Sequence, residues 1–292
     1  MSTAAPEQLA AATRRPPAWR NLRPRTAIPG FGLTLGVTVT LLCLVVLIPL
    51  ASIFGAAAKL GLTGFVHAAF SARALHAYTL SFSASLVGAA INSVFGLLTA
   101  WALVRYRFPG RAILSALVDL PFALPTAVAG VSLAGLYSAN GWIGGRLAPL
   151  GIKAAYNQLG VVIALTFVGL PFVVRTVEPV LRDLAIDVEE ASASLGANRL
   201  QTAARVILPA LAPAWITGFA LAFSRAVGEY GSVIFIAGNM PYKTEIAPLL
   251  ITIELEQFDY GAASSIAVVM LVIAFLMLLA INLTQAWSRR HA

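Results

Sequence analysis

The chain has 292 residues and a mass of 30.6 kDa, enough for two soluble domains or one membrane domain. Hydrophobic residues make up 59% and charged residues 11%, against about 45–50% and about 25% in ordinary globular chains, so a soluble fold, disorder and a coiled coil are excluded. The single Cys43 excludes a disulfide scaffold, and the net charge of +8 sits in short segments between apolar runs, without the aromatic–basic interleaving of a nucleic-acid surface.

The N-terminal stretch is rich in Ala, Pro and Arg, carries one acid, Glu7, and reads as a disordered tail with a faint likeness to a transit peptide. Six apolar stretches follow, near Phe31–Phe54, Tyr78–Val104, Ile113–Tyr137, Leu159–Val174, Ala210–Ala237 and Ser264–Trp287. Each reaches or approaches the roughly 20 residues needed to cross the hydrocarbon. The fourth is the shortest. The first is too long for a signal-peptide core, and Cys43 within it reads as a small packing residue. Pro49, Pro121, Pro125, Gly130, Gly169, Pro171, Gly228 and Gly231 interrupt the spans. Membrane helices tolerate them where protein or water satisfies the freed backbone.

Lys and Arg are counted by side. The tails and the second and fourth connections hold 14, the other connections hold 5, and Arg225 lies inside a span. This bias places both termini in the cytoplasm, as an even span count requires.

The fourth connection, roughly Arg175–Pro209, has its own helical pattern. Asp187 with Glu190 reads as a capping box, and Asn198 with Gln201 as a second. Val188, Ala191 and Leu195 share one helical face, and Gly196 sits where a left-handed C′ residue is needed. Leu200, Ala203, Ala204, Ile207 and Leu208 continue the apolar pattern until Pro209 ends it. Two short amphipathic helices at a glycine corner would leave an apolar face to be covered by a partner protein or by lipid.

Glu190-Ala191-Ser192, three residues, Gly196, nine residues, then Val206-Ile207-Leu208-Pro209 resembles the E-A-A-x3-G-x9-I-x-L-P signature of ABC-importer permeases. Ser and Val replace the second Ala and the Ile. Val118–Gly130 and Ser224–Asn239 resemble the third and fifth spans of sulfate and molybdate permeases. Thr244–Tyr260 resembles the T-type subunit of sulfate/thiosulfate importers.

The resemblance implies an all-α polytopic protein with six transmembrane helices on the type I importer fold (MetI-like). It implies a cytoplasmic tail over 1–30, a permease domain over 31–287 with a coupling loop at about 178–209, and a C-terminal tail over 288–292. Glu190, Ala191, Ser192, Gly196, Val206, Leu208 and Pro209 would couple to the ATPase. The implied partners are a W-type permease, two ATPase subunits and a periplasmic or lipid-anchored sulfate-binding protein, in the inner membrane. This chain would need no cofactor, because ATP and Mg would sit on the ATPase subunits. None of Lys59, Lys153 and Lys243 follows a P-loop pattern. His67, His76 and His291 are expected in connections or the tail without metal-ligand spacing. The implied cargo is sulfate and thiosulfate, the alternative a homodimeric molybdate or tungstate permease. An intramembrane serine protease built on Ser132 lacks a base and the last glycine of its elbow, and a passive channel leaves the coupling-type loop unexplained.

Arg225 and Glu229, four residues apart in the fifth span, can pair on one helical face. With Gly228, Tyr230 and Ser232 they read as part of a translocation path or gate, or as a structural lock to a neighbouring span. Asp119 is expected near Arg111 at a membrane end.

Overall fold

A computed structural model describes residues 31–291, with side chains as far as Leu283. The expectations for 1–30 and Ala292 lie outside it. The described residues are all helical or connecting, and they divide into two units at Ala51/Ser52. The first unit holds the start of α1 (Phe31–Ala58), whose apolar side chains, Leu41, Leu42 and Val45 among them, are exposed.

The second unit continues with α2 (Gly61–Ala69), which the span reading did not include, and α3 (Ala72–Arg105). Then come α4 (Arg111–Ala123), α5 (Thr126–Tyr137) and a single turn α6 (Gly144–Leu147). α7 (Gln158–Asp183) leads to α8 (Ile186–Ser194) and α9 (Arg199–Thr202), continued by a π-turn over Ala203–Ile207. α10 (Leu208–Val227), α11 (Val233–Ile236), α12 (Ala247–Glu256) and α13 (Tyr260–His291) complete it.

Among the described residues five helices are long and apolar enough to cross a membrane, or six if α4 and α5 are one broken span. The expected third span, with Pro121 and Pro125 inside it, is this broken pair. α4 and α5 meet at 116° across Leu124–Pro125. Proline removes a backbone donor and pushes the preceding residue out of the helical region, and Leu124 is extended at φ −84, ψ 135. The fourth span is longer than expected: α7 has 26 residues and carries Pro171 and Pro179 internally. The fifth is shifted rather than shortened: the helical run extends over Arg199–Val227, 29 residues, and stops at Val227 instead of Ala237. His67 and His76 are helical, in α2 and α3, and His76 stands edge-on to Tyr242 at 5.9 Å.

α3, α7 and α10 form the centre, and glycines set their spacing. A Cβ on Gly96 would lie 2.7 Å from Val173 Cβ, and one on Gly218 would lie 3.0 Å from Val173 Cα. Small residues at membrane helix contacts allow this approach. Around them Leu103, Val174, Leu181, Ile207, Leu211 and Phe223 are fully buried. Trp215 Nε1 donates to Ser93 O at 2.8 Å, tying α10 to α3.

Candidate functional site: the α7–α10 connection and the α10 break

α7 ends at Asp183, and Leu184 and Ala185 are extended before α8 begins at Ile186. The expected Asp187–Glu190 capping box does not form. A cap residue must be non-helical, and here the chain has already turned helical at Ile186, leaving Ala185 as a cap without a side-chain bond. Asp187 and Glu189 instead lie in the first turn, where negative charge suits the helix dipole.

The other end of α8 closes as the glycine position predicts. Gly196 has φ +86, its N–H donates to Ala193 O at 2.9 Å, and Ala197 N–H donates to Ser192 O at 3.1 Å. These two bonds are the Schellman pair. A Cβ on Gly196 would meet nothing within 4 Å, so the backbone angle, not space, demands glycine here. Asn198 and Gln201 form the expected capping box, with bonds of 2.8 and 2.9 Å.

Ser192 stands at the second-alanine position of the signature. Its Oγ lies 2.8 Å from Thr202 Oγ1 and stitches the two arms of the corner together. Glu190 and Ala191 are exposed, and Glu190 makes no ion pair among the described residues. Leu195 and Leu200 are 89% and 79% exposed, and Ile186 and Val188 are also uncovered. The expected second apolar face is split: Ile207 is 2% exposed in the core, while Leu200 faces outward. The π-turn between them shifts the register. Pro209 begins a helix rather than ending one. At the second position of α10 it needs no donor and its φ is pre-set. Val206 and Leu208 are half-buried beside it.

Sequence reasoning missed the fastening of this corner. Arg105, the last residue of α3, lies 2.6 Å from Glu189 and donates to Leu184 O at 3.2 Å. It also missed a second fastening. Asp119 pairs with Arg175, at 2.7 Å from Nε, and not with Arg111. Arg175 also donates to Ser115 O and to Glu178, which pairs in turn with Arg182. Glu178 is buried, so the cluster locks α4 to α7 near the foot of the corner. No sequence spacing links Asp119 to Arg175, 56 residues away; the acid near a membrane end was noticed, but not its partner.

At the far end of α10 the Arg225–Glu229 pair forms at 2.7 Å. It spans a helix break rather than lying on one helical face, because Gly228 caps α10 and Glu229 lies beyond it. Glu229 Oε1 accepts from both the N–H and the Oγ of Ser232, each at 2.9 Å. Its side chain is 2% exposed, that of Arg225 37%. The turn is pressed onto α5: a Cβ on Gly231 would lie 3.0 Å from Thr126 Cβ, and one on Gly130 would lie 2.8 Å from Ser232 Cα. Tyr230 packs against the neighbouring apolar cluster.

A long-helix bundle with a glycine-cornered, outward-facing apolar connection is the architecture of the described residues, and solved structures share its fold. A bacterial ABC transporter involved in import of the acidic polysaccharide alginate matches with TM-score 0.71 at 16% identity, over 89% of this chain and 95% of that one. The inward-facing MetNI methionine ABC transporter matches with TM-score 0.52 at 18% identity, over 74% and 94%. The fold is that of ABC-importer permeases. Residues 92–291 match the model of binding-protein-dependent transport system inner membrane components. The sulfate transport system permease protein CysT of Synechocystis is 51% identical over 256 residues, 88% of this chain and 90% of that one. That of Escherichia coli is 47% identical over 262 residues, 90% and 95%. The chain belongs to this family, the CysT branch of the binding-protein-dependent inner-membrane permeases.

Proposed function

We propose that this chain is the T-type permease subunit of an importer that carries sulfate and thiosulfate into the cytoplasm, driven by ATP hydrolysis on separate subunits. The observation that carries the reading is the 47–51% identity with CysT permeases over nearly the whole length of both chains. A W-type permease, two ATPase subunits with ATP and Mg, and an external binding protein complete the machine. Both termini face the cytoplasm, following the 14-to-5 basic bias.

The geometry suggests how force would enter. The ATPase would cover the exposed Leu195 and Leu200, with Glu190 free to meet a basic residue. A push on α8 would pass to α3 through Glu189–Arg105. A push on α9 would pass through the π-turn into α10, whose other end carries Arg225 and Glu229. The buried pair is a hinge lock for the path, and the partly exposed Arg225 presents a weak positive field to a passing dianion. A cation whose charge is shared with Glu229 attracts without trapping, which suits release.

The test is uptake of labelled sulfate by vesicles holding the full complex and its binding protein, with thiosulfate, molybdate and phosphate as competitors. ATP-dependent uptake blocked by thiosulfate and weakly by molybdate is expected. Molybdate uptake by a complex built on two copies of this chain would overturn the reading.

A further inference from the structure

Between the last turn of α3 and the corner helices lies a cavity of about 450 Å³. Trp101 and Tyr106 line one side and Ile186 another, while Arg105, Glu189 and Arg199 supply its charge. Glu189 is matched by Arg105, so Arg199 leaves one positive charge over; it makes no ion pair among the described residues. Arg105 spends its Nη2 on Glu189 and Leu184, but its Nε is buried without any hydrogen-bond partner. A buried guanidinium donor is costly to leave unmet; Glu189 Oε1 in the same lining is also buried without a hydrogen bond and is held by its ion pair with Arg105 Nη2, which leaves Arg105 Nε unanswered.

Position narrows the acceptor. Trp101 and Arg105 lie one turn apart at the end of a 34-residue membrane helix, and Tyr106 follows at its cap. Aromatic side chains at such an end sit at headgroup level. A ligand here meets one net cation, an unmet donor and an apolar wall at once. That combination fits an amphiphile with a phosphate, and basic pockets on the cytoplasmic side take anionic headgroups.

We propose that this cavity binds the phosphate of an anionic phospholipid of the inner leaflet. The phosphate sits between Arg105 and Arg199, with the glycerol and upper acyl carbons against Trp101, Tyr106 and Ile186. One lipid then touches both α3 and the corner, and stiffens the joint through which ATPase motion passes. The inference does not depend on the cargo.

The experiment uses the whole purified complex. It is stripped of lipid, given phosphatidylglycerol or phosphatidylcholine, and read by native mass spectrometry and by thermal midpoint. Wild type should retain phosphatidylglycerol under activation that removes phosphatidylcholine. Arg199→Gln should weaken retention about five-fold. Arg199→Lys should restore most of it, and Arg111→Gln, outside the cavity, should leave it unchanged. Trp101→Leu tests the same cavity from α3 if Arg199→Gln fails to assemble, and should lower retention too. Equal retention by wild type, Arg199→Gln and Trp101→Leu would overturn the proposal. So would an equal rise in midpoint from inorganic phosphate in phosphatidylcholine, which would assign the site to soluble phosphate. Absence of retained lipid from the assembled complex would give the cavity to an ATPase side chain instead.

Discussion

Arg105 and Glu189 meet at 2.6 Å, joining the last residue of the longest helix to the first turn of the corner. Arg105 is 13% and Glu189 26% exposed. The pair lies between the exposed and buried regimes, and breaking it should cost about 2 kcal/mol. Its value to the molecule is geometric, because the corner has few other contacts with α3.

Arg105→Glu should therefore separate ATP hydrolysis from uptake. The ATPase still binds, since Leu195 and Leu200 are untouched, but its stroke no longer reaches α3. We expect ATPase co-purification near wild type and uptake at least ten-fold lower. The exchange Arg105→Glu with Glu189→Arg should recover much of the loss. Failure of the exchange together with normal uptake in Arg105→Glu would remove the pair from the coupling route.

Gly196 gives a graded series. Asn tolerates left-handed angles, Ala pays about 1–2 kcal/mol at φ +86, and Asp adds charge to the surface proposed for ATPase contact. Uptake and ATPase co-purification should fall in the order Gly, Asn, Ala, Asp, with Asp inactive yet present in the membrane. Because a Cβ there meets nothing within 4 Å, no variant should disturb the bundle. Normal uptake by Gly196→Asp would show that the corner does not dock.

The sequence carried the local features of this corner and little of its fastening. Gly196 and the Asn198–Gln201 box were legible because each depends on residues a few positions apart. The Asp187 box failed because one residue, Ile186, entered the helix early, and helix starts are set by such small margins. Arg105–Glu189 and Arg175–Asp119 were not legible, since they join elements whose proximity exists only after folding. The break at Leu124–Pro125 was written in the proline, but a run of apolar residues on both sides masked it. The Arg225–Glu229 pairing is legible in its spacing, but the Gly228 stop puts the pair across a helix break instead of on one helical face.

The contact of α5 with the 228–232 turn makes a packing prediction. Gly231→Ala places a methyl against Thr126, with Thr126 Cβ at 3.0 Å and its Oγ1 closer still. Overpacking of this kind costs about 1–3 kcal/mol. The thermal midpoint in detergent should drop, and adding Thr126→Ala should restore part of it. Gly130→Ala meets the Ser232 backbone, which cannot be trimmed, so no single partner substitution should rescue it.

Arg225 and Glu229 can be told apart as lock and path by three variants. Arg225→Met leaves the Glu229 carboxylate, 2% exposed, with only Ser232 to answer its charge. Removing one member of a buried pair costs about 3 kcal/mol, so this variant should assemble poorly. Glu229→Gln keeps an oxygen for the Ser232 N–H and Oγ and loses only the charge, so it should be milder. The double variant carries no charge at the break and should regain assembly and thermal midpoint close to wild type. Sulfate uptake should not return with it, and should stay at least ten-fold down, because the 37%-exposed cation proposed to meet a passing dianion is gone. Assembly is read by ATPase co-purification and flux by labelled sulfate in vesicles, so the two losses are measured separately. Recovery of both in the double variant would make the pair a lock alone and move the path elsewhere.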